Sequence, residues 1–172
     1  MKILYTAIFS MIGLFLGAQD TLFTETFEGG MNPLWKVMTV DTFTVNEAQS
    51  AYASGWIVTA DRNSAEDSVV GSCSNFTPAG EAERWLISPA ITLGADRNIL
   101  SWKARSVDGS FPESYQVLMS DKTDALADFT EVVLTLTNES PDWTTYEYDL
   151  SEFGAAGKTI YFAIVHNTND GL

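Results

Sequence analysis

Apolar and polar residues alternate with a period of two along much of this chain. In the segment NILSWKARS, residues 98–106, the apolar residues Leu100, Trp102 and Ala104 alternate with polar ones. Successive side chains of a β-strand point to opposite faces, so this pattern predicts a strand with one buried and one solvated face. Such strands are typical of antiparallel sheets.

Similar segments, separated by turn-forming residues, recur from end to end. Predicted strands cover residues 22–28, 33–39, 55–59, 68–73, 84–93, 98–106, 114–120, 129–137, 143–150 and 159–166. Pro89 is expected to break 84–93 into two strands, because proline has no N–H to donate to a ladder. Helical signal is limited to single turns, at 123–128 and 150–157, so the pattern predicts an all-β fold.

The segment TIYFAIVH, residues 159–166, is apolar at nearly every position. A strand without a polar face is expected to be central and covered on both sides. Together with the other strands it predicts a single antiparallel β-sandwich of the jelly-roll type, from residue 19 to the end of the chain.

The N-terminus carries a different pattern. Lys2 is followed by an apolar run from Ile3 to Leu16 and by the small residues Gly17 and Ala18. This order is that of a secretory signal peptide, residues 1–18, with cleavage after Ala18. The run is short for a membrane span, so no membrane insertion is expected after cleavage.

Charge narrows the range of partners. The chain of 172 residues has a formal net charge of −14 and no basic stripe. Such a surface repels nucleic-acid phosphates and anionic lipid, whereas divalent cations and cationic partners remain compatible with it.

Motifs that would support catalysis are missing from the sequence. The chain has one cysteine, Cys73, and one histidine, His166, and it has no nucleophile elbow, zinc-ligand spacing or phosphate-binding loop. Cys73 follows the apolar stretch SVVGS and is expected to be a small buried residue. The sequence therefore predicts a protein that is not an enzyme.

Several motifs in fixed order resemble a known family. They are Trp85–Ile91 (WLISPAI), 111–117 (FPESYQV), Trp143, 149–153 (DLSEF) and 157–163 (GKTIYFA). The chain is similar in these motifs to the cleaved-adhesin, or choice-of-anchor J, domain of exported Bacteroidetes proteins, including the gingipain adhesin regions. The resemblance implies a galactose-binding-like jelly roll that acts as a non-catalytic module within a longer chain.

The resemblance also implies that another strand follows residue 172. Family members continue past the loop that corresponds to His166–Asp170 into a strand with two consecutive aspartates. The expectation is therefore a C-terminally incomplete domain that lacks its final strand, with an unpaired edge open to strand addition.

Structural calcium is the cofactor that the acidic loops favour. Calcium takes six to eight oxygen ligands, and jelly-roll binding domains often hold it where the first strand meets the end of the last. The matching segment here ends in Glu28 beside Gly29, and further candidate ligands are Glu25, Asp41 and Asp170.

Aromatic residues are candidates for ligand binding, because aromatic side chains anchor glycans and protein partners. The candidate tryptophans are Trp35, Trp56, Trp85, Trp102 and Trp143, and Trp85 and Trp102 are expected in the core. The two residues predicted to bind a ligand are Trp56 and Phe111. Trp56 follows a polar stretch at a predicted loop edge, and Phe111 lies in the predicted loop 106–115. The alternative for each is a packed structural role.

Three functions remain open at this point. One is an exported adhesin-type module that binds a host or surface protein or glycan. Another is an accessory module of a secreted protease or glycan hydrolase whose catalytic domain lies outside this chain. The third is purely structural spacing between other modules.

Overall fold

The structure, a computed structural model, describes residues 20–169. The predicted signal peptide and Asp170 lie outside the described residues. In chain order the strands are β1 (Lys36–Thr39), β2 (Thr44–Val45), β3 (Ile57–Asp61), β4 (Ser64–Gly71), β5 (Phe76–Thr77), β6 (Arg84–Ile87), β7 (Ile91–Thr92), β8 (Ile99–Ala104), β9 (Tyr115–Ser120), β10 (Glu131–Leu136), β11 (Thr144–Asp149) and β12 (Thr159–His166). Short 3-10 helices cover Glu47–Tyr52, Leu126–Asp128 and Leu150–Phe153.

One large antiparallel sheet organises the fold. Its strand order is β1-β6-β12-β9-β10, and β7 pairs with the first residues of β12. Smaller antiparallel pairs are formed by β8 with β11, β3 with β4 and β2 with β5. The central position predicted for residues 159–166 is confirmed, since β12 pairs with β6 on one side and with β9 on the other.

Alternation along β12 shows how the sheet is covered on both faces. Ile160 and Phe162 belong to the main core, which also contains Leu86 and Val117 of the sheet and packs against Leu100, Trp102 and Tyr148 of the β8–β11 pair. Ala163 and Val165 belong to a second core on the opposite face, beneath Phe129. Each face of this strand therefore buries apolar surface, and the fold is the predicted all-β sandwich.

The break at Pro89 is also confirmed. β6 ends at Ile87 and β7 begins at Ile91, and buried Ser88 keeps the connection attached to the sheet. Its hydroxyl accepts a hydrogen bond from Phe162 N at 2.9 Å, and its N–H donates to Phe162 O at 2.9 Å. Cys73 is buried in a small cluster with Val45, Phe76 and Ala82, as its apolar surroundings predict.

The strand predicted at residues 22–28 is wrong, since the structure has no strand between residues 20 and 35. The Glu25 side chain accepts hydrogen bonds from the N–H groups of Thr26 and Phe27, at 3.0 and 2.9 Å. A side chain that binds its own backbone competes with a sheet ladder. Phe27 also has a positive φ of 63°, outside the β region.

One predicted face of β10 is also wrong in part. Strict alternation along residues 129–137 predicts that Val132 shares a face with Leu134 and Leu136, but Val132 is exposed and Val133 is buried. The register with β9 shifts between Val132 and Leu134. This β-bulge adds one residue to the strand, so the side chains after it point to the opposite face from the one that regular alternation predicts. The hydrophobic pattern alone does not reveal this change.

Among residues 20–169, no helix is long and apolar enough to span a membrane.

Candidate ligand-binding end of the sandwich

Two connections lie side by side at one end of the large sheet. β9 begins at Tyr115, which pairs with His166 at the end of β12 and with Leu136 at the end of β10. The β8–β9 loop, residues 105–114, and the β10–β11 loop, residues 137–143, therefore leave the sheet at the same end. We call these two loops the loop end.

Backbone hydrogen bonds join the two loops to each other. Ser106 N donates to Ser140 O at 2.7 Å, and Glu139 N donates to Glu113 O at 2.7 Å. A Cβ added to Gly109 would lie 3.3 Å from Cγ of Pro141, so the tip of one loop rests on the other. The loop end is thus held by contacts rather than left to sample many conformations.

A turn presents Phe111 at the tip of the β8–β9 loop. Phe111 N donates to Asp108 O at 3.1 Å, and Ser110 N donates to the Asp108 carboxylate at 2.9 Å. An aspartate that caps its own turn in this way fixes the local backbone. The Phe111 side chain is 75% exposed, and Val107 and Trp143, which lie on the same two loops, are 55% and 46% exposed.

Trp143 is fixed by an ion pair beside it. Its indole N–H donates to Asp61 at 3.3 Å, and the Arg105 guanidinium lies 5.0 Å from the centre of its ring. Arg105 also pairs with Asp61. The pKa of Asp61 is below its ordinary range. The largest cause is the hydrogen bond from the Asn63 N–H, and the positive charge of Arg105 lowers the pKa further. The tryptophan is therefore held in one orientation while half of its surface faces solvent.

The buried carboxylate of Glu139 attaches the loop end to the strands beneath it. Glu139 is only 3% exposed, and it accepts hydrogen bonds from the hydroxyls of Tyr115 at 3.1 Å and Tyr146 at 2.9 Å. Ser140 N donates to it at 2.7 Å. Burial is the largest cause that raises the pKa of Tyr115, and the negative charge of Glu139 adds to it. This tyrosine therefore stays protonated and continues to donate.

The single histidine forms a second buried network. His166 Nε2 lies 2.8 Å from the Glu113 carboxylate, and its Nδ1 lies 2.8 Å from the Ser72 hydroxyl. The Nε2–H group donates to the Glu113 carboxylate, and the Ser72 hydroxyl, which can either donate or accept, is the partner of Nδ1. The ring is buried, so the arrangement ties β12 to the β8–β9 loop and to the segment after β4.

The same network controls the ionisation of Glu113. Burial raises the pKa of its carboxyl, but hydrogen bonds from His166, Thr168 and Ser74 and the charge of His166 outweigh burial. The net pKa is below its ordinary value. Glu113 is therefore ionised in the folded protein and available as an acceptor for its three donors.

The two predicted ligand-binding residues lie in different surroundings. Phe111 is at the exposed tip of the loop end. Trp56 is partly buried, donates from its indole N–H to Arg84 O at 2.9 Å, and packs edge-on against His166 at 6.3 Å. These contacts give Trp56 a structural role beneath the loop end, and ligand binding by either residue stays a prediction.

The candidate calcium ligands within the described residues, Glu25, Glu28 and Asp41, are not brought together as one cluster. Glu25 accepts from Trp35 Nε1 at 3.2 Å, and Asp41 is buried against Arg84, with Oδ2 to Nε at 3.0 Å. Glu28 accepts from Ser68 N at 3.0 Å. Residues 20–169 contain no group of three or more histidine, cysteine, aspartate or glutamate side chains placed to hold a metal. Calcium binding by these residues and Asp170 stays a prediction.

Val107 and Trp143 extend the exposed surface beyond the predicted Phe111. The sequence indicated that Trp143 is exposed. Tyr146, Tyr148 and Leu150 share the buried face of their strand, and Trp143 lies an odd number of residues from each of them. Its side chain is therefore expected on the opposite, solvated face. No comparable signal marks Val107, because its exposure depends on the path of an irregular loop.

Comparison with known proteins supports the fold. No family model matches the chain, and no curated protein is significantly similar to it in sequence. Solved structures do match. The K1 cleaved adhesin domain of Lys-gingipain from Porphyromonas gingivalis W83 aligns with a TM-score of 0.60 at 22% identity, over 84% of this chain and 87% of that one.

Two further domains of Lys-gingipain give the same result. The K3 domain from P. gingivalis W83 aligns with a TM-score of 0.62 at 17% identity, over 86% of this chain and 89% of that one. The K2 domain aligns with a TM-score of 0.58 at 22% identity, over 85% and 90%. The resemblance to cleaved adhesin domains indicated by the motifs is confirmed at the level of the fold.

Proposed function

We propose that this protein is a non-catalytic adhesin-type module that binds an extracellular protein or glycan through its loop end. The observation that carries the proposal is the exposure of Phe111, Val107 and Trp143 on loops that are fixed by hydrogen bonds and a buried carboxylate. Exposed aromatic side chains in a fixed arrangement bind with little loss of conformational entropy.

The similarity in fold supports an extracellular setting. The three similar structures are adhesin domains, and their sequences are distant from this one. Because fold alone does not establish function, adhesion, export by the predicted signal peptide and location at the cell surface belong to the proposal. The buried hydrogen bonds of His166 support a structural rather than a catalytic role for it.

The accessory role is a second candidate, because the K1, K2 and K3 adhesin domains are non-catalytic parts of a protease, Lys-gingipain. In that case the loop end would hold a substrate or surface near a catalytic domain encoded elsewhere in the same gene. The coding sequence that adjoins this chain distinguishes the two roles: a protease or glycan hydrolase domain favours the accessory role, and further binding modules favour the adhesin.

A binding screen tests the proposal. The wild-type protein and Phe111→Ala are applied in parallel to a glycan array and to a panel of immobilised extracellular-matrix proteins. We expect at least one ligand to retain the wild-type protein and to retain the variant much less. Equal retention of the two proteins on every ligand that binds would assign recognition to another surface.

A further inference from the structure

A groove lies on the outer face of the large sheet, near the loop end. Its volume is about 370 Å³, and it is lined by Glu81, Ala82, Glu83, Trp85, Gln116, Val165 and Asn167. That volume is within the range of small-ligand sites. None of its lining residues is among those predicted from the sequence to bind a ligand or a metal.

Strand register explains how these residues reach one surface. Trp85 of β6 pairs with Val165 of β12, and Val165 pairs with Gln116 of β9, so the three side chains form a row across the sheet. Glu81 and Glu83 lie four and two residues before Trp85, and Asn167 lies two residues after Val165. Because side chains alternate between the two faces of a strand, this even spacing places them on the same face of the sheet. The ladder continues past the strands, since Ala82 N donates to Thr168 O at 2.8 Å.

The floor of the groove is aromatic and fixed. Trp85 packs against Phe129 with ring centres 5.7 Å apart, and its indole N–H donates to the Glu83 carboxylate at 3.3 Å. Gln116 Nε2 donates to Thr135 at 3.1 Å, which holds that carboxamide in place. The site is therefore shaped before any ligand arrives.

The polar groups of the groove are mainly hydrogen-bond acceptors. Neither Glu81 nor Glu83 forms an ion pair with any residue between 20 and 169, and no lysine or arginine lines the groove. The adjacent Arg84 points to the other face, where it pairs with Asp41. The side-chain oxygen of Asn167 is buried at the edge of the groove and has no hydrogen-bond donor within the described residues.

We propose that this groove binds a lysine or arginine side chain of a protein partner. A cationic head group would lie between the two glutamates and donate to their oxygens, and its aliphatic stem would lie along Trp85 and Val165. Carboxylates that form no ion pair with the described residues favour a cation over a neutral sugar, because charge-assisted hydrogen bonds are stronger than neutral ones. The net charge of −14 would draw such a partner toward the surface.

Cation binding by the groove does not depend on ligand binding by the loop end, so either proposal can be wrong while the other is correct. Its test uses the peptide acetyl-Gly-Gly-Lys-Gly-Gly-amide, an arginine version, and a norleucine version that keeps the aliphatic stem without the charge. Each is titrated into ¹⁵N-labelled protein. We expect the lysine and arginine peptides to shift the Trp85 indole and the Gln116 and Asn167 carboxamide signals in a saturable, salt-sensitive way, and the norleucine peptide to leave them in place.

Matched variants decide whether the glutamates are responsible. The double variant Glu81→Gln with Glu83→Gln should weaken binding of the lysine peptide about tenfold or more. Glu147→Gln removes a charge from an exposed position on β11, outside the groove, and should change binding less than about twofold. If the double variant does not fold, Gln116→Lys, which places a cation in the groove, should abolish binding instead.

Three results would overturn the proposal. Equal shifts with the norleucine peptide would show that charge plays no part. Unchanged affinity in the folded double variant would place the cation elsewhere on the acidic surface. Shifts of the same signals by methyl glycosides, with none from the charged peptides, would identify the groove as a sugar site.

Discussion

The carboxylate of Glu139 accepts a hydrogen bond from the buried hydroxyl of Tyr115 at 3.1 Å. Tyr115 is the first residue of β9, and Glu139 lies in the β10–β11 loop, so this contact attaches the loop end to the sheet. The same hydroxyl accepts from Trp102 Nε1 at 3.1 Å, which extends the network into the main core. The exposed aromatic surface therefore rests on a polar network that is itself buried.

Removal of the Tyr115 hydroxyl should destabilise the protein. Tyr115→Phe leaves Glu139 without one donor and Trp102 without its acceptor, and an unsatisfied buried partner costs about 1–3 kcal/mol. Tyr148→Phe is the matched control, because the Tyr148 hydroxyl has no hydrogen-bond partner among residues 20–169. Urea unfolding of the two variants should give clearly different free energies, and equal values would contradict a stabilising role for the network.

The Glu113–His166 pair predicts how stability depends on pH. Since the pKa of Glu113 in the folded protein is below its ordinary value of about 4.5, the unfolded chain binds this proton more readily than the folded one. The stabilisation is complete above the unfolded pKa and is lost as pH falls through the lower folded pKa. Thermal unfolding of Glu113→Gln between pH 6 and pH 3 should therefore depend less on pH than that of the wild type.

The control for this experiment is Glu147→Gln, which removes a carboxylate from an exposed position on β11. It should keep the wild-type pH dependence. If Glu113→Gln also keeps it, the acid sensitivity originates elsewhere in the protein.

The fold was largely predictable because most strands pack apolar side chains against a core on at least one face. Residues 159–166 lack a polar face and are central, and Leu100, Trp102 and Ala104 mark the inward face of β8. Alternation fails where backbone geometry departs from a regular strand. The bulge near Val132 changes which residues of β10 face the core. The Glu25 side chain binds the backbone of its own segment, which otherwise has the composition of a strand.

The candidate site was less predictable than the fold. Phe111 could be found because an aromatic residue in a polar loop is conspicuous. The fixed orientation of Trp143 depends on Asp61, which is 82 residues away along the chain. The outer groove depends on register between β6, β12 and β9, which hydrophobic pattern does not specify.

A buried ion pair gives a separate test of the core. The Arg84 and Asp41 side chains are 0% and 1% exposed, and Arg84 Nη1 also donates to Tyr52 O at 2.8 Å. Asp41→Asn leaves a buried arginine without its counter-charge and should cost about 3–5 kcal/mol of unfolding free energy. Asp124→Asn breaks the exposed pair with Lys36 and should cost less than about 1 kcal/mol. Similar losses in the two variants would contradict this difference in burial.

Calcium binding can be tested through stability. If calcium binds the folded protein through Glu28, then calcium should raise the melting temperature of the wild type, as a ligand specific to the folded state does. Glu28→Ala should reduce this rise, and Asp170→Ala gives the corresponding test for the residue outside the described range. Calorimetric titration gives the heats directly. Identical weak heats in wild type and Glu28→Ala would remove Glu28 as a ligand.

The central claim is that the loop end binds the ligand, and Phe111 provides its most direct measurement. Because Phe111 is largely solvent-exposed, Phe111→Ala should leave the free energy of unfolding within about 0.5 kcal/mol. Leu34 is a matched control: it is 68% exposed and precedes β1, whose first residue pairs with Ile87 at the opposite end of β6.

The measurement is the dissociation constant, by surface plasmon resonance, for the strongest ligand found in the glycan and matrix-protein screen. An anchor residue that contributes about 2 kcal/mol predicts roughly 30-fold weaker binding for Phe111→Ala, and Leu34→Ala should remain within about twofold of wild type. Wild-type affinity in a folded Phe111→Ala variant, with a loss in Leu34→Ala instead, would contradict the assignment of ligand binding to the loop end.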